Sequence, residues 1–479
     1  MTKYRENMAF VDTAWLRMER PTNLMMITGV MILEEPLSMS ALTRLIEQRL
    51  GHFDRFRQRV VMPSTPLGTP HWEFDPHFDI RSHIHHIALP APGDQAALEA
   101  VVSDIASTPL DFSKPLWSYH LVDGVGSGCA LVGRLHHCIA DGIALMAVLL
   151  SLTDDSPTAY LEEAEEPDSA ESPHKPGLLE IAADQARSAL YSSRRLGQLI
   201  RHESAETVAH PYHALALAKA GANSAARLAK ITLYPADPDT IFRGELSALK
   251  RAAWSQPILL NDVKTIGRQI NGTVNDVILA AVSGALRHYL EGRGQPLDGI
   301  SIRAFVPVNI RPLDQALELG NKFGLVMLSL PLGVADRYDR LLAVKAGMDE
   351  IKSSPEAVVS WAVLTAMGVA PAPVEELGLQ FFQAKTTAVM SNVPGPRHPV
   401  YLAGKRLKTV LGWAPASGDM GLSVTIISYD GQIWVGMMTN AQRVPDPGTI
   451  IANFQAEFAE LRDLAAGLSG EPETPVSVA

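Results

Sequence analysis

The sequence places two adjacent histidines, His136 and His137, three residues ahead of an Asp141-Gly142 pair. Imidazole is the side chain whose ordinary pKa lies nearest neutrality, so it suits taking a proton from a hydroxyl before that oxygen attacks. A neighbouring carboxylate can orient such a base, and a glycine lets the backbone pass close to a substrate. The same residues also admit a structural reading: a buried histidine pair satisfied by backbone bonds, with Asp141 capping a helix. The flanking elements bear on the choice. An apolar run at Cys129-Ala130-Leu131-Val132 reads as a buried strand and the stretch from Ile143 to Leu152 as a helix, so the pair sits where a strand hands over to a helix. Loops held by a rigid scaffold are where catalytic groups gather.

A chain of 479 residues exceeds what one hydrophobic core usually serves, which predicts two domains. With 47% hydrophobic and 19% charged residues the composition is that of a folded protein. Lys plus Arg number 41 against 52 Asp plus Glu, a net charge of −11, and without a basic surplus nucleic acid is excluded as a partner. A local basic face toward a membrane or an anionic cosubstrate stays open, because net charge does not report patches. The two cysteines, Cys129 and Cys138, form neither a disulfide framework nor a metal cluster and read as small buried hydrophobes in a reducing compartment. His83, His85 and His86 cluster on an expected strand, yet no Cys or carboxylate spacing completes a metal site. The N-terminus lacks the apolar core of a signal peptide, and no uncharged run reaches the roughly 18 residues of a membrane span. The expected location is the cytoplasm, with at most peripheral attachment to the inner membrane or lipid droplets; the oligomeric state is not legible.

The elements that must position the histidines alternate between strand and helix. Leu24 to Leu33 reads as a strand, and a helix follows from Ser38 through Leu50 with Ser38 or Ser40 as its cap. Trp117 to Val122 and Cys129 to Leu135 read as paired strands across a glycine-rich turn. From Asp154 to Pro176 the chain turns acidic and rich in Pro and Ser, an exposed linker. Gly177 to about Leu233 is Ala-rich, helical in pattern and studded with arginines, either an interfacial helix on a lipid surface or connector helices across two domains. The second half restarts with helices over Asn261 to Gln269 and Thr273 to Leu290. Strands are then expected at Ile302 to Val308, Gly324 to Leu330 and Thr387 to Ser391. A hairpin pairs Leu422 to Tyr429 with Gln432 to Met438 around Asp430-Gly431. The pattern predicts an α/β architecture of two mixed sheets flanked by helices, with domains at 1–153 and 246–479 joined by a linker and helical crossover at 154–245.

The histidine segment resembles the HHxxxDG signature of the CoA-dependent acyltransferase superfamily, and further segments resemble the bacterial wax ester synthase/diacylglycerol acyltransferase family. They are Phe10-Val11-Asp12-Thr13-Ala14-Trp15-Leu16, Phe53 to Arg59, Phe78-Asp79-Ile80 with His83, and Pro109-Leu110-Asp111 through Pro115-Leu116-Trp117. The second half adds Thr273-Val274-Asn275-Asp276-Val277, Pro307 to Arg311 with Gly320-Asn321, and Ser391 to Pro396. The order of these blocks along the whole chain carries the resemblance. It implies a two-domain chloramphenicol acetyltransferase-like fold. It also implies an O-acyltransferase of triacylglycerol biosynthesis and of lipid and glycerol metabolism, moving a fatty acyl group from acyl-CoA to a long-chain alcohol or diacylglycerol. No cofactor beyond the acyl-CoA cosubstrate is implied.

By the same resemblance His137 is the general base, passing the hydroxyl proton on to the CoA sulfur in one direct step with no covalent intermediate. No Gly-x-Ser-x-Gly elbow supplies an activated serine. His136 supports the loop or acts directly, and Asp141 holds the loop through an arginine, with Arg311 the candidate, or orients His137. Gly142 either keeps the tunnel clear or serves a turn. Asn275 and Asp276 lie across from the histidines, where Asn275 could donate to the developing oxyanion, an interaction often worth about 2.7–4 kcal/mol; their other reading is a helix cap. Two alternatives remain at this point: a condensation-domain-like enzyme using carrier-bound acyl groups, and a non-catalytic lipid-droplet coat protein.

Overall fold

Strands with almost unbroken apolar character, of the kind that sit inside a sheet covered on both faces, form the centre of the first sheet. The computed structural model describes residues 5–64, 68–159, 233–310, 320–352 and 354–470. In this sheet the order is Ile84–Ala88, Trp117–Val125, Gly128–His136, Met26–Leu33, Lys405–Trp413, Tyr401–Leu402 and Thr153–Asp154. Every residue of Gly128–His136 is buried. It pairs antiparallel with Trp117–Val125 on one side and Met26–Leu33 on the other. The Met39–Leu50 helix follows the Met26–Leu33 strand, and its Ser38 cap accepts from the Ala41 amide at 3.2 Å.

Two strands of this sheet come from far down the chain. Lys405–Trp413 pairs antiparallel with Met26–Leu33, and Tyr401–Leu402 reaches Thr153–Asp154. The second half of the sequence therefore contributes two strands to the first sheet, which no local periodicity could show. Asp154, the first residue of the expected acidic linker, is sheet edge instead, opposite Tyr401 in the ladder and paired with Arg49 at 2.7 Å.

The second sheet runs Ile258–Leu259, Gln432–Asn440, Leu422–Tyr429, Ala388–Pro394, Ile302–Asn309 and Phe323–Leu330, with Lys250–Trp254 also paired to Gln432–Asn440. The expected hairpin is present, with Tyr429 opposite Gln432 and Asp430 at a φ of 45° and Gly431 at 75°. The Leu260–Gln269 and Val274–Glu291 helices cover it with Arg337–Lys352 and Pro447–Gly470. A three-stranded sheet of Arg5–Asn7, His71–Phe74 and Gln58–Val61 stands apart from both. Most of the Ala-rich stretch expected as an interfacial or connector helix lies outside the described residues.

Candidate functional site

Strand alternation separates the histidine pair: neighbouring residues at a strand end face opposite sides. His136 is fully buried, and its Nδ1 accepts from the Cys138 amide at 3.1 Å. Its Nε2 lies 3.0 Å from Glu19 Oε2, close enough for electrostatic contact but outside hydrogen-bond alignment. Glu19 is held in turn by the Met25 amide at 3.0 Å. Both ring nitrogens of His136 thus face inward, while His137 lines a cavity between the two sheets of about 230 Å³.

His137 stacks on Trp15 at a centroid distance of 4.1 Å and lies 5.7 Å from the Phe323 ring. Its amide donates to Met25 O at 2.7 Å. Burial lowers its pKa to about 4, with His136 adding to the effect; the Asp141 charge and the Asn321 side chain act the other way. The imidazole is therefore neutral around neutral pH, the form that can accept a proton. Its buried Nδ1 has no hydrogen-bond partner among the described residues.

Asp141 acts on His137 through its charge, which raises the imidazole pKa against the burial. Its Oδ2 accepts from the Lys322 amide at 3.0 Å, and its own amide approaches Gly320 O at 3.4 Å. The loop before the Phe323–Leu330 strand is thereby stitched to the histidine loop, while the expected arginine partner, Arg311, falls outside the described residues. Gly142 lines the cavity at the first position of the Gly142–Ser151 helix. Among the described residues a Cβ there would meet no atom within 4 Å, so no described contact demands glycine. Asn275 is not among the lining residues; its Oδ1 accepts from Asn392, which is. Asp276 turns back into its own helix: its Oδ2 accepts from the Thr273 amide at 2.7 Å and from the Thr273 hydroxyl at 2.8 Å, as a capping box.

Three residues quoted only as part of sequence blocks, Asn321, Asp12 and Trp15, complete the site. Asn321 donates through Nδ2 to His137 O and to Asp12 Oδ1, each at 2.8 Å, and its amide donates to the same Asp12 oxygen at 3.2 Å. Asp12 and Trp15 lie three residues apart in the Phe10–Arg17 helix and so share a face. One helix thus supplies both the ring under His137 and the anchor of its loop. That i, i+3 spacing was the available signal.

Burial raises the Asp12 carboxyl from 3.8 to about 6, against the opposing Asn321 hydrogen bonds and Arg55. A raised folded-state pKa favours folding below the unfolded value and loses that contribution as pH rises through the folded one. The change corresponds to about 3 kcal/mol lost between pH 3.8 and about 6. Asp12→Asn keeps the acceptor oxygen without the charge. Its melting temperature relative to wild type is expected to rise between about pH 4 and pH 7 in parallel thermal melts; a constant difference would contradict the assignment.

Thiol chemistry does not compete at this site. Burial pushes Cys129 up to about 11 and Cys138 well above its ordinary value, so neither supplies thiolate at neutral pH. Of the histidine cluster, His83 bonds Trp117 O at 2.8 Å and His86 pairs with Asp123 at 2.7 Å. Among the described residues no group of three or more His, Cys, Asp or Glu could hold a metal ion.

The wax ester synthase/diacylglycerol acyltransferase catalytic domain matches residues 8–278, and the C-terminal domain of that family matches residues 319–462. A probable diacylglycerol O-acyltransferase of Mycobacterium tuberculosis is 28% identical over 441 residues, spanning 91% of this chain and 90% of its own. A putative diacylglycerol O-acyltransferase of the same organism is 30% identical over 432 residues, 87% of this chain and 88% of its own. Among solved structures, the wax ester synthase/diacylglycerol acyltransferase of Marinobacter aquaeolei VT8 superposes with a TM-score of 0.65 at 23% identity, covering 96% of this chain and all (100%) of that one. The first condensation domain of the calcium-dependent antibiotic synthetase gives 0.61 at 14% identity over 97% of this chain and 96% of its own. These likenesses show the fold: the two-domain acyltransferase architecture expected from the sequence holds.

Proposed function

Since the chain belongs to the wax ester synthase/diacylglycerol acyltransferase family and is an O-acyltransferase, we propose that it transfers a fatty acyl group from acyl-CoA to the hydroxyl of a long-chain alcohol or diacylglycerol, with His137 as the general base. One observation carries the reading: a buried, neutral imidazole lines an apolar cavity between the two sheets. The acceptor hydroxyl would give its proton to His137 as its oxygen attacks the thioester carbonyl. The C–S bond then breaks, and the same proton passes to the departing CoA sulfur. Polar groups stand on the opposite wall. The Ser391 hydroxyl lies 3.0 Å from that of Thr425, and Asn392 sits beside them, able to meet the developing oxyanion in place of Asn275 or together with it.

Purified protein given labelled palmitoyl-CoA with either hexadecanol or diolein tests the activity and its acceptor together. Labelled wax ester or triacylglycerol is expected, and no ester with either acceptor would end the reading. Among the described residues no helix is long and apolar enough to cross a membrane. Access to lipid substrates would then come through peripheral attachment, which predicts co-flotation with anionic liposomes; protein left at the bottom of the gradient would contradict it.

A further inference from the structure

Three glycines stand side by side across the first sheet. Gly133, Gly29 and Gly412 are direct partners on three adjacent strands, and all three line the cavity that holds His137. Glycine is a poor strand former, and its presence inside a strand marks either a bend or the close approach of something to the backbone. Packing within the protein explains one of the three: a Cβ on Gly133 would lie 2.7 Å from the ring of Tyr119, its partner on the other side. It does not explain the others. Among the described residues a Cβ on Gly29 would come no closer than 3.6 Å to another atom and one on Gly412 no closer than 3.5 Å, ordinary van der Waals contacts, and neither residue has a positive φ. The protein gains no internal fit from leaving these side chains out, and the space they leave belongs to the cavity.

The walls beside the row are apolar, with Ile27, Leu135, Met146, Leu149 and Ile427 among them. Independently of the glycines, His137 is 5% exposed, lines the same cavity and has a ring nitrogen with no hydrogen-bond partner among the described residues. Gly133 precedes His137 by four residues, which sets the row about 13 Å along the strand direction from the base. We infer that the Gly133-Gly29-Gly412 row is the floor of a groove for an extended alkyl chain of the lipid substrate, closed at one end by Tyr119, and that it sets the chain length the enzyme accepts. The inference rests on the acyl-transfer reading. The alkyl chain can come from the acyl donor or from the acceptor alcohol, and both present the same chemistry to the groove.

The test compares Gly29→Val, Gly29→Ala and Gly412→Ala with wild type. One arm varies the donor, palmitoyl-CoA against octanoyl-CoA, with hexadecanol fixed; the other varies the acceptor, hexadecanol against octanol, with palmitoyl-CoA fixed. Gly29→Val is expected to lower the long-to-short ratio of kcat/KM by about tenfold or more in one arm, which identifies the chain that lies there. The alanine variants, whose added methyl meets no clash, are expected to shift the same ratio in the same direction by less and to keep the wild-type melting temperature. An active wild type whose ratios are unchanged in both arms in all three variants overturns the groove alone. A wild type that forms no ester with any chain length removes the acyl-transfer reading and the groove with it.

Discussion

His137→Ala is expected to lower kcat for ester formation by about 10²–10⁴-fold, the usual contribution of a positioned general base, while the protein still folds. Stability should fall only modestly, since the side chain stacks on Trp15 and its Nδ1 carries no hydrogen bond among the described residues; such a stack is worth about 0.5–1.5 kcal/mol beyond its burial. His136→Ala should show the opposite balance, because its ring accepts from the Cys138 amide in a fully buried position and does not line the cavity. Its cost should appear in the melting temperature, with a smaller effect on kcat in protein that remains folded. Initial rates and thermal melts of the two variants check this. Equal loss of activity in both folded variants would return His136 to a direct role. The depressed pKa of His137 adds a pH expectation: kcat/KM should stay level from neutrality down to about pH 5, whereas an unperturbed imidazole would lose half its base form near pH 6.5.

Asn321→Ala is expected to lower kcat by about ten- to a hundredfold while leaving KM for palmitoyl-CoA nearly unchanged, because small misplacements of a reacting group are costly and Asn321 does not line the cavity. Its two Nδ2 bonds tie the His137 carbonyl to Asp12. Truncation frees the histidine loop and removes one of the donors to the buried Asp12 carboxyl, a loss of about 1–3 kcal/mol in stability. A structural role alone would lower the melting temperature and leave kcat of the folded fraction intact. A positioning role lowers kcat in folded protein and, by removing a group that opposes the pKa depression, moves the acid limb of the pH profile to lower pH. Steady-state kinetics against pH on folded protein separates the two.

What the sequence made legible follows from which forces are local. The Ser38 cap, the Thr273-Asp276 capping box and the Asp430-Gly431 turn rest on neighbours within a few residues, so the elements around them stand close to where they were expected. The strand-to-helix handover at His136-His137 was readable because apolar runs flank it on both sides. The Lys405–Trp413 strand was not, since its place in the first sheet depends on pairing with Met26–Leu33 from the other end of the chain. The same limit hid the clamp on His137: Asp12 and Asn321 lie more than 300 residues apart and meet only in the folded protein. The glycine row escaped for a related reason, because each glycine looks unremarked in its own strand and only cross-strand register aligns the three. The Asn275-Asp276 pair shows a motif divided by geometry, one residue bonded to the cavity-lining Asn392 and the other spent on its helix start.

The central claim is direct transfer between two bound substrates, and a single-turnover experiment tests it. Wild-type enzyme in excess over labelled palmitoyl-CoA is quenched at intervals with and without hexadecanol, and label is counted in ester, in free fatty acid and on protein. Direct transfer predicts labelled ester only when the alcohol is present, at a rate matching CoA-thiol release, with no label on the protein at any time. Label that accumulates on the protein without alcohol and then chases into ester would contradict it.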